Sequence, residues 1–235
     1  MQKFVLLLSV IFITACSSAP TRAPQEAAIF HALTQDSALR QIATHCGSLS
    51  QTLKNRSWQT QQSWWKRNGT FVEAAEFGFS YHLISITGDR QVSGARYAMA
   101  LAMDVSFEAE NVASSVVQAS DRKLACESAL SEYNEGKMDL NKNRDLYKSL
   151  LSLDQQKGRH GKDLLVEQAR VSTKTGERYS RSSVTAERLV IRQVCAKPKI
   201  KTLKASWPSE IFEATCPDKS AVLISCHWGN CDIRN

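Results

Sequence analysis

Trp58, Trp65, Val72, Phe79 and Ile86 recur at seven-residue steps over nearly thirty residues, and the run ends at Gly88. Strand side chains alternate with a period of two, so an apolar seam at sevens demands one long helix packed against neighbours. Gly69 and Gly78 fall inside the run. Each costs about 1 kcal/mol relative to Ala in a helix interior, so either is a place where the helix can kink or break.

Other stretches of the same half carry the same period. After Asp36, an expected N-cap, Leu39, Ile42, Ala43, Cys46, Leu49 and Leu53 form one stripe. Tyr97, Leu101, Val105, Val112 and Val116 mark a helix over 93–118, and Leu124, Cys126, Leu130 and Tyr133 mark a fourth behind Ser120 or Asp121, closed by Gly136. Leu146, Leu150 and Leu153 mark a fifth. Short loops between amphipathic helices predict an antiparallel bundle over residues 26–155.

Residues 156–186 are polar and glycine-bearing, and read as a junction that is part helix and part loop. From Arg188 the expected pattern is strand: Leu189 and Ile191 alternate with Val190 and Arg192, and further runs end at Trp207, Cys216 and Cys226. Pro217-Asp218-Lys219-Ser220 and His227-Trp228-Gly229-Asn230 are the expected turns. The fold class is therefore α+β, an antiparallel helical bundle followed by a small disulfide-stapled antiparallel β module over 187–235.

The amino terminus resembles a known class of leader. Lys3 is followed by the apolar run Phe4–Ile13 and then Ile13-Thr14-Ala15-Cys16. The run is too short to cross a bilayer, and the ending resembles the lipobox of bacterial lipoproteins. The resemblance covers residues 1–18 alone. It implies a signal peptide over 1–15, lipidation of Cys16 and a mature chain of 220 residues. Residues 16–25 would be a lipidated tether. In that class Ser17, rather than Asp, after the cysteine implies the outer membrane, with the protein held by its lipid and facing the periplasm.

The leader bears on the remaining cysteines, Cys46, Cys126, Cys195, Cys216, Cys226 and Cys231. An even number in an oxidising compartment reads as up to three disulfides. Cys46 and Cys126 lie on two helix stripes, Cys226 and Cys231 flank a turn, and Cys195 is left with Cys216. A zinc set of Cys216, Cys226, His227 and Cys231 has only one knuckle-like spacing, and no cofactor is expected.

Charge is uneven. Residues 17–156 carry 14 Lys/Arg against 15 Asp/Glu, whereas residues 157–235 carry 15 against eight, a net of +7. The leader takes the chain away from nucleic acid. The expected partners are the membrane, through the lipid on Cys16, and an envelope protein or peptidoglycan. Arg188, Arg192, Lys197, Lys199, Lys201 and Lys204 are the candidate surface for an anionic partner; lysines also protect an exposed sheet edge from aggregation. Trp64-Trp65-Lys66-Arg67 places aromatic beside basic side chains, as glycan or lipid contacts do.

Catalytic signatures are missing from the sequence: no Gly-x-Ser-x-Gly elbow, no His-Glu-x-x-His and no phosphate loop occur, and His31, His45, His82, His160 and His227 are scattered. The expectation is a non-catalytic binding, assembly or structural protein of the envelope. A peptidoglycan-directed hydrolase, or an inhibitor of one, is the alternative, because two well-placed carboxylates need no motif.

Overall fold

The computed structural model describes residues 22–87, 91–175 and 180–234, with side chains for 22–81, 100–162 and 180–234. The leader, Cys16 and the start of the tether lie outside the described residues. Among the described residues, six helices and one four-stranded antiparallel sheet make up the α+β fold.

Helix α1 spans Pro24–Leu49 and starts earlier than expected, with Pro24 in its first turn, where a missing N–H costs nothing. Asp36 is therefore not a cap. It sits mid-helix, 7% exposed, and Arg40 one turn on meets its carboxylate at 2.9 Å. Ser50 turns the chain in extended conformation, and its hydroxyl accepts from Leu53 N–H at 3.2 Å to cap α2, Gln51–Thr87.

At 37 residues α2 is about 55 Å long, and neither glycine breaks it. Both make room for neighbours instead. A Cβ on Gly69 would lie 2.8 Å from Trp65 Nε1, and one on Gly78 would lie 2.6 Å from Leu153 Cδ2. Helix α3 is Gln91–Val117. Helix α4 is Arg122–Asn134, with Asp121 accepting from Leu124 N–H and Gly136 at φ +72° beyond its end. Helix α5, Arg144–Thr175, runs well past the boundary expected at residue 155. Helix α1 packs on α2, α3 and α5, and α2 on α4 and α5. Leu39, Val72, Leu130 and Leu150 are among the residues of their shared core.

Residues 188–193 correct a second expectation, for they belong to helix α6, Ser183–Gln193, rather than to a strand. A run such as Leu189-Val190-Ile191 satisfies both periods. Tertiary packing decides: Ala186, Leu189 and Val190, spaced i, i+3 and i+4, bury together on the sheet.

Strands β1 (Lys199–Ser206), β2 (Ser209–Thr215), β3 (Ala221–His227) and β4 (Asn230–Arg234) form a meander in chain order. Phe212, Ala214 and Ile224 line its inner face under α6, a core separate from that of the bundle. The connections β1–β2 and β3–β4 necessarily share one end of a meander. Each is a two-residue turn, Trp207-Pro208 and Trp228-Gly229.

Three disulfides staple these parts. Cys46–Cys126 joins α1 to α4, and Cys226–Cys231 bridges a directly opposed pair on β3 and β4. Cys195–Cys216 ties the chain just after α6 to the end of β2, so Cys195 is not on a strand. With their sulfurs in S–S bonds, Cys216, Cys226 and Cys231 offer no thiolate to a zinc ion.

Candidate functional site

The β module meets the bundle end-on, through its two tryptophan-bearing turns. Trp65 on α2 lies 5.8 Å from Trp207 and 5.6 Å from Trp228, centroid to centroid, and the two turn residues cross edge to face at 5.5 Å. Such pairs are worth about 0.5–1.5 kcal/mol beyond the area they bury. Trp228 adopts φ +51° and Gly229 φ +79°, the left-handed pair that a tight hairpin requires. A bulky residue in that region costs roughly 1–3 kcal/mol, which burial of the indole, 4% exposed, offsets.

Arg181 fixes the same junction from the module side. Its guanidinium pairs with Glu76 of α2 and lies 4.9 Å from the Trp207 ring centre and 5.3 Å from that of Trp65. Partial burial pushes the Glu76 carboxyl above its ordinary value, and Arg181 pulls it back part of the way. The backbone N–H groups of Arg181 and Ser182 donate to the two oxygens of Glu210, both at 2.9 Å, so a buried carboxylate holds the start of α6. Thr44 of α1 donates to Asn230 at 2.8 Å, a further contact between the two units.

Of the Trp64-Trp65-Lys66-Arg67 stretch, Lys66 is exposed and the other three make contacts within the molecule. Trp64 is 1% exposed and donates to Met138 O at 3.1 Å. Arg67 and Asn68 both hold Asp139, at 2.8 Å in each case, pinning the connection from α4 to α5.

The six candidate cations occupy two sides of the module. Arg188 and Arg192 are exposed on α6, over the inner face of the sheet, and Lys197 precedes β1. Lys199 and Lys201 alternate with buried-side Ile200 and Thr202 and point outward. Lys204 is out of phase with them in sequence, but the β1–β2 register slips between Thr202 and Lys204. This bulge sets Lys204 opposite Ile211 on the same outer face.

That outer face also carries exposed apolar side chains. Leu203 at the bulge, Ile211 on β2 and Leu223 on β3 are 41%, 36% and 47% exposed. The register makes them a diagonal across three strands: Lys204 faces Ile211, and Glu213, two residues on, faces Leu223. Lys201 and Lys204 flank one end. Arg234, opposite Leu223 on β4, flanks the other and donates to Ser225 Oγ at 2.7 Å. The diagonal escaped sequence reasoning because only the bulge and the register assemble it.

Comparison of the chain with protein-family models, with curated proteins and with solved structures finds no match.

Proposed function

We propose that the chain is a lipid-anchored protein of the outer membrane, facing the periplasm, that binds an acidic envelope protein through the outer face of its sheet, with no catalytic step. The observation that carries this reading is the diagonal Leu203–Ile211–Leu223 bracketed by Lys199, Lys201, Lys204 and Arg234. Exposed aliphatic side chains give area to bury, and the four cations outnumber the two carboxylates on the same face, Glu213 opposite Lys201 and Asp232 opposite Ser225, so the balance favours an anionic partner. The lipobox-like leader supplies the compartment and the anchor.

The test is crosslinking in intact cells, followed by recovery of the full-length lipoprotein at low and high salt. A single envelope protein should be recovered with the wild type and lost with Lys199→Glu/Lys201→Glu/Lys204→Glu, while the melting transition is retained. High salt should weaken recovery as well, because exposed charges are screened beyond about 8 Å at physiological ionic strength. Undiminished recovery with the reversed charges refutes the face as the binding surface. The anchor is tested separately: Cys16→Ser should leave an unlipidated precursor, and unchanged maturation overturns it.

A further inference from the structure

We propose that Met103 and Phe107 of α3 dip into the lipid surface to which Cys16 ties the chain. The inference rests on the lipid-anchor part of the reading above and is independent of the lysine face.

Met103 and Phe107 are 65% and 66% exposed, the highest values among the large apolar side chains described. Four residues apart on a helix, they are neighbours on one face. Leu101, Ala109 and Val116 form the buried side of α3, and the pair points the opposite way. Single exposed apolar residues need no explanation, whereas adjoining ones mark a surface that meets something outside the fold.

The covalent chain says what that is. Arg22 lies six residues after Cys16, a span of at most about 20 Å even when extended. Arg22 is itself fastened beside the pair. Its guanidinium meets Asp104, next to Met103 and three residues before Phe107, at 3.2 Å, and lies 3.8 Å from the ring centre of Phe30 on α1. A lipid on Cys16 therefore holds the membrane surface within about 20 Å of Arg22. At that range the contact is intramolecular, so two apolar side chains suffice where a free protein would not stay bound. Charge is not the attraction, because Asp104, Glu108 and Glu110 are exposed on the same stretch. Apolar burial is.

The experiment incorporates the full-length lipoprotein into vesicles of phosphatidylethanolamine and phosphatidylglycerol, with and without bromine on the acyl chains. Phe107→Trp adds an indole at the exposed position, read after subtraction of the wild-type emission. That emission should shift to the blue in both vesicles and be quenched in the brominated ones. Met103→Glu added to it should diminish the quenching, and high salt should leave it unchanged. Leu124→Trp is the control: Leu124 is 63% exposed and stands by the Cys46–Cys126 bridge. Cys46 is 24 residues from Arg22, about 36 Å along α1, so this indole should escape quenching. A blue shift without quenching would mean that a second copy of the chain covers the pair, and overturns the proposal, as does equal quenching of Leu124→Trp. A wild type that fails to float with the vesicles refutes the lipid anchor and this contact with it. A protein that floats with the indole of Phe107→Trp unquenched refutes the contact alone.

Discussion

Trp58 on α2 donates its indole N–H to Nε2 of His227 at 2.8 Å, and Ser209 Oγ lies 2.9 Å from the Nδ1 of that ring. An accepting Nε2 carries no proton, so the neutral ring keeps its hydrogen on Nδ1, donated to Ser209. Protonation at Nε2 would end the bond to Trp58 and loosen one edge of the junction. Burial holds His227 below its ordinary value of 6.5. Between that lowered value and 6.5 the unfolded chain binds more protons than the native one, so stability is lost as the pH falls through this window. His31, lowered by burial as well, adds a loss of the same sign. The stability advantage of the wild type over His227→Gln should therefore shrink between about pH 7.5 and about pH 5.5 in parallel denaturant titrations. A gap that stays constant across that range would show that the imidazole does not sense the junction.

Arg181 gives a change of opposite sign. Arg181→Ala leaves Glu76 without its partner and removes a cation from between two indoles. The cost should be about 1–2 kcal/mol, at the low end for a broken charge pair because the Glu76 side chain is 33% exposed. A carboxyl whose native value lies above its unfolded one binds protons preferentially in the folded state. Part of the lost stability should therefore return as the pH falls toward about 4.5, and Glu76→Gln/Arg181→Ala should show no such recovery. Hydrogen exchange at β2 and β3 reports the loosening directly, and unchanged protection there would place the ion pair outside the junction's energetics.

The heptad seam of α2 shows how far sequence reasoning reached. It located one long helix, and Val72 at its centre is fully buried in the bundle. Trp58 and Trp65, on the same seam, meet the β module instead. Trp65 and Val72 are one heptad apart, so drift turns them by only about 20°, and what changes over the roughly 10 Å between them is the element that stands beside the helix. Nothing in the spacing says what that element is. The cystine pairs were legible because stripe and turn positions constrain them. Helix α6 was not, since three consecutive apolar residues fit either period until the sheet beneath them is known. Lys204 joined the outer face only through a bulge, which residue spacing alone does not announce.

Two glycines of the bundle should respond oppositely to the same substitution. A methyl group placed on Gly158 of α5 would meet nothing within 4 Å, so Gly158→Ala should raise stability by up to about 1 kcal/mol through helix propensity alone. At Gly78 the same methyl would meet Leu153 Cδ2 at 2.6 Å and Ile29 Cδ1 at 3.2 Å. Leu153 and Ile29 are themselves buried, so they have little room to yield. Overpacking of roughly 1–3 kcal/mol then outweighs the propensity gain, and Gly78→Ala should melt lower than the wild type. If Gly78→Ala melted higher, the close approach of α2 to α5 would be wrong.

The three disulfides close loops of very different length, with sequence separations of 80 for Cys46–Cys126, 21 for Cys195–Cys216 and five for Cys226–Cys231. A cross-link stabilises chiefly by removing conformations from the unfolded chain, and the gain grows with the logarithm of the loop. The expected losses on replacing each pair by alanine are about 4.5, about 3.3 and about 2 kcal/mol, in that order. Cys46 and Cys126 are also fully buried, so their loss leaves a small void that adds to the first figure. Denaturant midpoints of the three double variants, measured without reductant, give the order. If the Cys226–Cys231 variant lost the most, entropy of the unfolded chain could not be the main term. The dominant role would then pass to local support of the Trp228 turn, which that bridge closes.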